Sequence, residues 1–421
     1  MILKNTNIIK KVISTALCAV MACSFVTGAG ISSMSLDMAV TASAAETEEK
    51  LCVTEKDMLP YYYQKMTKSE KAVYIKLRKA VMERKSSAKF GKMSKETADK
   101  LTNTLFYYDD LGFNLNNVQY EIGPSYTKMK FEYFFSKSNY IKMVNKIDEK
   151  AEAIVAKFTD KTTKYAKIKY IHDYIIKNCT YNTEALTKDT AYGALVAKKA
   201  DCDGYSKAFS YVCRKAGIWT VNVTGDSGEP HMWNKVYYNK AWHNVDVTWD
   251  DPTGNVKDNL AYDFFMISDK QISKTHTQDK IEYTVPSATT NKYGYYNVYK
   301  LIAKDANDAR SKLISQIASA ASKGKSSVTI QMPDDATYSN VVNYLEKNSS
   351  DNIFEILSAA SKKTKAKLIT IGCHGYGNPE SRTYTICFYL KGKKITDYYT
   401  SLDVMDSESI NFLDEIGLVV G

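Results

Sequence analysis

The chain has 421 residues, of which 44% are hydrophobic and 25% charged. That is the balance of a soluble globular protein large enough for two or three domains. Its net charge of +10 comes from scattered Lys and Arg rather than from a compact Arg-rich patch. A solvated basic surface is the plain reading and attraction to anionic cell-wall polymers a weaker one; nucleic-acid binding has no motif behind it.

The first 44 residues read as a signal peptide. Lys4, Lys10 and Lys11 precede the apolar run "VISTALCAVMACSFVTGAGI", and Ala42-Ser43-Ala44 fits a small-residue cleavage site. Removal of this segment, which holds three Lys and one Asp, would leave a charge of +8 and a chain starting near Ala45. "VMAC", Val20 to Cys23, weakly matches a lipoprotein box, and no later segment is apolar enough to span a bilayer. A secreted or extracellular location is expected, with cell-surface or cell-wall association open. Of the eight cysteines, six follow the signal: Cys52, Cys179, Cys202, Cys213, Cys373 and Cys387. Their irregular spacing, without CxxC, gives neither a disulfide framework nor a zinc site, so free thiols are expected.

Residues 45–116 form a helical N-terminal region in this reading. "TKSE", Thr67 to Glu70, has capping-box spacing before a stripe of Val73, Leu77 and Ala80. "NVQYEIGPSYTKMKFEYFF" predicts two strands around Gly123-Pro124 and opens a catalytic domain over 117–288. Two helices follow, one carrying Ile141, Val144, Ile147 and Ala151, the next Ile168, Ile171, Ile175 and Ile176. Beyond the linker "VPSATTNKYG", residues 289–421 predict a small α/β domain of unassigned role. Its expected elements are a strand over Tyr295–Ala303, a helix over Asp305–Ser322, a strand over Ser327–Met332, helices near 338–347 and 353–361, and strands near Leu368 and Thr383.

"ADCDGYSKAFSYVCRKAGI", Ala200 to Ile218, predicts a helix. Tyr205, Ala208, Phe209, Val212, Cys213 and Ala216 share one stripe, Asp201 is placed to cap its start and Gly217 to end it. Cys202 falls in the first turn, where the helix dipole favours a thiolate; a buried structural cysteine is the commoner alternative.

"GDSGEPHMWN", Gly225 to Asn234, offers Ser227 in a near match to a serine-protease loop, and His231 at a strand start. "HMWNKVYYNKAWHNVDVTWDDP" predicts a hairpin turning at Asn239-Lys240. A two-residue turn sets Trp233 opposite Asp246, making His231 and Asp246 diagonal neighbours on one face. His243 falls on the other face as a packing residue. Cys202, His231 and Asp246 can thus assemble as nucleophile, proton shuttle and orienting acid. Ser227 becomes a loop residue, since the only upstream His, His172, is on a helix. Asp250, Asp251 and Asp258 could bind a cation but read better as a solvated loop. "DCDG" lacks the later Glu of a calcium loop, and His172 and His276 have no partners at metal spacing. No cofactor motif occurs.

"TAYGALVAKKADCDGYSKAFSYVCRKAGI" and "VTGDSGEPHMWNKVYYNKAWHNVDVTWDDP" resemble the bacterial transglutaminase-like superfamily, relatives of papain-type thiol enzymes. "KIKYIHDYIIKNCTYN" before them and "YDFFMISDKQISKTH" after them extend the resemblance over roughly Asn117 to Asn297. It implies an α+β fold in which a helix bearing Cys202 packs on an antiparallel sheet bearing His231 and Asp246. It also implies Cys202 as nucleophile, His231 as base and Asp246 as orienting acid. Met232 and Ser206 stand where Ala is usual, and the oxyanion donor has no clear match. The expected activity is that of a thiol enzyme acting on amide bonds of peptides, proteins or peptidoglycan peptides through an acyl-enzyme. Hydrolysis is favoured over transamidation. The alternative is a non-catalytic cell-surface or wall-binding protein on the same fold.

Overall fold

The structure is a computed structural model that describes residues 2–3, 59–113, 115–251, 260–347 and 349–392. Apart from residues 2–3, the expected signal segment lies outside the described residues, as do Cys52 and Asp258. Contacts divide the chain into two units, Met1–Glu149 and Lys150–Gly421.

In the first unit, strands β1 (Ile2–Leu3), β2 (Ser87–Gly91), β3 (Leu115–Ile122) and β4 (Tyr126–Tyr133) form an antiparallel sheet in the order β1-β3-β4-β2. Helices α1 (Lys68–Met82) and α2 (Lys95–Asn103) accompany it, and α3 (Lys137–Val155) follows. The capping box expected at Thr67 and Glu70 is formed in both directions. Two features differ from the sequence reading. β2 interrupts the region expected to be helical. The β3–β4 hairpin, expected to open the catalytic domain, pairs instead with β2. Hairpin periodicity shows where two strands turn but not which third strand they adopt.

The second unit begins its core with α4 (Lys164–Asn178), whose Ile168, Ile171 and Ile175 are buried. A short parallel pair, β5 (Thr180–Tyr181) and β6 (Lys199–Ala200), leads into α5 (Cys202–Lys215). Strands β7 (Thr220–Asp226), β8 (Pro230–Tyr238), β9 (Ala241–Val245), β10 (Phe265–Ile267) and β11 (Thr277–Gln278) make a five-stranded antiparallel sheet ordered β10-β9-β8-β7-β11. Between β10 and β11 lies the single turn α6 (Asp269–Ile272). The β8–β9 turn is the expected two-residue one. Asn239 and Lys240 both have positive φ, 46° and 65°, which matches the right-handed strand twist, and Tyr238 pairs with Ala241 through to Asn234 with Val245. The core is an α+β helix-on-sheet arrangement.

The C-terminal part holds α7 (Tyr295–Val298), α8 (Ala306–Ser322), β12 (Ser327–Gln331), α9 (Asp335–Glu346), α10 (Ser349–Ser361), β13 (Leu368–Asn378) and β14 (Thr383–Leu390). Its sheet is antiparallel in the order β12-β14-β13, and Ile330, Tyr384, Ile386 and Phe388 join Leu313, Ile317 and Ile356 in one core. The strand expected over Tyr295–Ala303 is a helical turn instead. Its tyrosines pack onto the segment before β10: Tyr295 stacks on Tyr262 at 3.8 Å, and the Tyr296 hydroxyl donates to Asp263 at 2.7 Å. The two adjacent rings are thus anchored to separate partners.

Asp263 ties the two parts together. Beyond Tyr296, its buried carboxylate accepts the hydroxyls of Ser381 at 2.6 Å and Thr383 at 3.1 Å and the Asn378 amide at 3.3 Å. Every partner is a neutral donor, and burial raises its pKa. Removing the acceptor strands several buried hydroxyls at once. Asp263→Ala is expected to lower stability by about 3 kcal/mol in urea unfolding and to speed amide exchange along β14. Unchanged stability would show that the clamp carries no weight.

Candidate active site

The start of α5 is shaped by a close approach. Asp201 caps the helix, its side chain accepting the Gly204 amide at 3.3 Å, while its own amide donates to the Lys188 carbonyl at 3.1 Å. A Cβ at Gly204 would lie 2.1 Å from that Lys188 carbonyl oxygen, so only glycine lets the 188–190 loop lie against the first turn. Cys202 is thereby held at the helix start, 8% exposed.

The same turn grips β8 beside His231. The Ser206 hydroxyl donates to the Met232 carbonyl at 2.9 Å, and the Asn234 amide donates to the Ser206 carbonyl at 3.1 Å and to Asn222 at 2.8 Å. The Cys202 sulfur lies within hydrogen-bond reach of the Met232 backbone and 3.9 Å from Asp203 Oδ1. Ser206, the departure from the family's usual Ala, is thus a tether between the cysteine helix and the histidine strand.

His231 Nε2 meets Asp246 Oδ2 at 2.7 Å. Asp246 follows directly on β9, where the chain leaves the sheet, and its Oδ1 accepts the amides of Thr248 and Trp249, both at 3.0 Å. Burial disfavours the Asp246 charge, but His231 and the hydrogen bonds outweigh it and hold the carboxyl far below the usual range. The same pair, working against burial, raises the pKa of His231. An ionised carboxylate only accepts, so His231 carries its proton on Nε2. Nδ1 makes no hydrogen bond among the described residues and is left with a lone pair.

The thiol departs from expectation. The helix dipole predicts a favoured thiolate, yet burial, followed by Asp203 and Asp201, pushes the Cys202 pKa well up. Burial, with Asp203 and Asp189 close by, likewise lifts the Asp201 carboxyl to about 7. The turn that supplies the dipole also supplies two carboxylates, and in a buried setting the full charges dominate.

The remaining sequence candidates fall elsewhere. Ser227 sits in the β7–β8 turn, where its amide donates to the Glu229 carbonyl at 3.0 Å. His243 is buried on the opposite face beside Tyr238 and Tyr293. Cys179, Cys202 and Cys213 are buried free thiols. Asp250 and Asp251, read as a solvated loop, are both engaged. The Tyr205 hydroxyl donates to Asp251 at 2.5 Å, and Asp250 bonds His172 Nε2 at 3.1 Å and accepts the Phe264 amide at 2.9 Å.

Sequence reasoning missed His276. Its Nε2 lies 3.0 Å from the same Asp246 Oδ2 that His231 uses. A lone histidine 30 positions after the acid carries no spacing signal toward it; the close match of "YDFFMISDKQISKTH" to the segment expected after the core was the one available hint.

Residues 152–247, which include Cys202, His231 and Asp246, match the transglutaminase-like superfamily, and the chain carries a domain of that superfamily. It is similar to the kyphoscoliosis peptidase of Mus musculus, 33% identical over 101 residues that make up 20% of this chain and 15% of that protein. It is also similar to that of Homo sapiens, 40% identical over 68 residues, 13% of this chain and 10% of that one. The matched region is thus a small fraction of either relative. A crystal structure described as a TGase is 19% identical, with a TM-score of 0.24 over 32% of this chain and 44% of that one.

His172, fully enclosed on α4, bonds Asp173 Oδ1 through Nδ1 and Asp250 Oδ2 through Nε2, both at 3.1 Å. Burial opposes its charge, but the two carboxylates prevail and raise its pKa. Its contribution to stability is therefore complete below the unfolded value of about 6.5 and is lost as pH rises through the higher folded value. Thermal unfolding of His172→Gln against the parent chain should show a stability difference that shrinks as pH rises above the ordinary imidazole value, and also as pH falls through about 6, where burial leaves Asp250 ready to take a proton. A difference that does not vary with pH would mean that His172 stays neutral.

Proposed function

We propose that this chain is a thiol enzyme that opens amide bonds of peptides or proteins through Cys202. The observation that carries this reading is the His231–Asp246 pair, with the free Nδ1 of His231 on the strand whose next residue lies against the Cys202 sulfur. In the proposed cycle His231 Nδ1 takes the thiol proton and the sulfur attacks the substrate carbonyl. The Cys202 amide, one of the donors an α-helix leaves without an internal partner, faces the developing oxyanion. Collapse breaks the C–N bond, His231 protonates the leaving amine, and a thioester remains. Water then loses a proton to His231 and attacks the thioester, releasing the acid and restoring the thiol. Hydrolysis is favoured over transfer to an amine, in line with the peptidase names of the relatives. Tyr181 and Trp249, 43% and 38% exposed, offer aromatic surface for a peptide. The basic, apolar and small-residue start supports export, so wall peptides are substrates within reach; a mature chain starting near Ala45 would support that part.

The test uses purified protein and a peptide and muropeptide library, with mass detection of the thioester. Cys202→Ala is expected to abolish the thioester and His231→Ala to cost about 10²- to 10⁴-fold in turnover. Asp246→Asn forces the wrong His231 tautomer and should cost at most ~10⁴-fold, with residual activity. Ser227→Ala and His243→Ala should turn over like the parent chain. Turnover that survives Cys202→Ala would end the thiol mechanism.

A further inference from the structure

We propose that His276 is a positioning residue for the acid, holding Asp246 in the orientation and charge state that His231 requires. This rests on the Cys202–His231–Asp246 reading above. Asp246 has four N–H donors around it: Thr248 and Trp249 amides on Oδ1, and His231 and His276 Nε2 on Oδ2. The backbone pair fixes one oxygen. On the other, His231 has to gain and lose charge during a cycle, so its hydrogen bond changes strength at each proton transfer. His276 is the donor that stays constant.

Its own surroundings hold it to that task. The Thr275 hydroxyl lies 2.7 Å from Nδ1 and 3.3 Å from the Ile272 carbonyl, and the Asp246 carboxylate, which only accepts, calls for an N–H on Nε2. Trp249 at 4.7 Å, Trp233 at 5.2 Å and Phe264 at 5.4 Å enclose the ring. The backbone is pinned on both sides. The His276 amide donates to the Ile272 carbonyl at 3.0 Å, and Thr277 pairs with Asp226. A Cβ at Gly225 would lie 2.2 Å from the Thr277 carbonyl oxygen, so glycine in β7 is what admits β11 and sets His276 beneath the acid.

The three side chains also form a set close enough to hold a metal ion, with ligand atoms within 4.8 Å of one another. A metal would need both Nε2 atoms unprotonated, whereas an ionised Asp246 calls for an N–H on each.

The first arm of the test needs no known substrate, because iodoacetamide labelling read by mass mapping at Cys202 reports the reactivity of that thiol; the second uses a substrate found by the library screen. His276→Phe keeps a ring in the pocket and removes the donor. His276→Gln places an amide N–H near the position of Nε2 without a titrating group. His276→Phe is expected to slow Cys202 alkylation at neutral pH by about 10-fold or more, and to lower kcat with little change in KM. His276→Gln is expected to recover most of both. Thr275→Val, which removes the hydroxyl beside Nδ1 and its bond to the Ile272 carbonyl, should move the same quantities less. Parent-like alkylation by a folded His276→Phe variant, while Asp246→Asn is slow, would overturn the role of His276 and leave the thiol mechanism standing. Parent-like alkylation in both variants would remove the acid's role and His276 with it. If His276→Phe does not fold and His276→Gln is as slow as Asp246→Asn, the donor role is overturned. Loss of activity on EDTA treatment that zinc restores would assign the three side chains to a metal instead.

Discussion

The arrangement turns on one buried carboxylate. Asp246 sits where β9 leaves the sheet, and its two oxygens collect donors from the turn after it, from the start of β8 and from the segment before β11. Burying a charge costs several kcal/mol unless it is fully hydrogen-bonded. Four N–H groups meet that condition without a lysine or arginine. All four neighbours donate and none is placed to accept an O–H, so the ionised form of the acid is favoured, and its ionisation calls for an Nε2–H on each histidine. The geometry of the proposed site and the local fold are therefore the same set of hydrogen bonds.

The segment that delivers His276 is fastened at several points. Lys235, buried in β8, reaches Gln278 at 3.1 Å, the Pro286 carbonyl at 2.9 Å and Asp269 at 2.8 Å. Asp269 also receives the Asn244 amide and the Ala288 backbone. From the C-terminal part, Arg382 donates to Gln271 at 3.1 Å, and Gln271 donates to the Glu380 carbonyl at 3.4 Å. Together with the clamp on Asp263, these contacts place the 378–383 turn against both ends of the stretch running from β10 to His276. The C-terminal part thus belongs to the same bonded framework as the site. His172 extends that framework to α4 through Asp250, four residues beyond the acid.

What the sequence revealed and what it hid follow from the range of the interactions. The α5 stripe, its Asp201 cap and the β8–β9 turn are local, and each was legible because periodicity and turn chemistry act over a few residues. The diagonal His231–Asp246 contact came through the hairpin register alone. His276 was not legible, because it reaches Asp246 across 30 residues and a sheet edge that only Gly225 leaves open. The pairing of the 115–133 hairpin with β2 was hidden for the same reason: strand partners are chosen by tertiary contact. The segment at 295–298 forms a helical turn whose Tyr295 and Tyr296 are held by Tyr262 and Asp263, partners more than 30 residues away.

The charge balance at the thiol has a further consequence on the proposed reading. A resting thiolate–imidazolium pair needs both partners shifted toward charge. Here only His231 is; Cys202 is shifted the other way by burial and by Asp203 and Asp201. On that reading His231 acts as the base as the carbonyl arrives. Attack on an amide creates negative charge at the start of α5, where the two acids oppose it and the helix dipole and free amides favour it. Bound substrate that excludes water strengthens all of these terms at once, so the gain comes from how closely the amides face the oxyanion and how firmly Asp246 supports the imidazolium. That places the burden of catalysis on the rigidity of the acid rather than on the acidity of the thiol. A carboxylate fixed by four donors, two of them backbone amides, is built for rigidity.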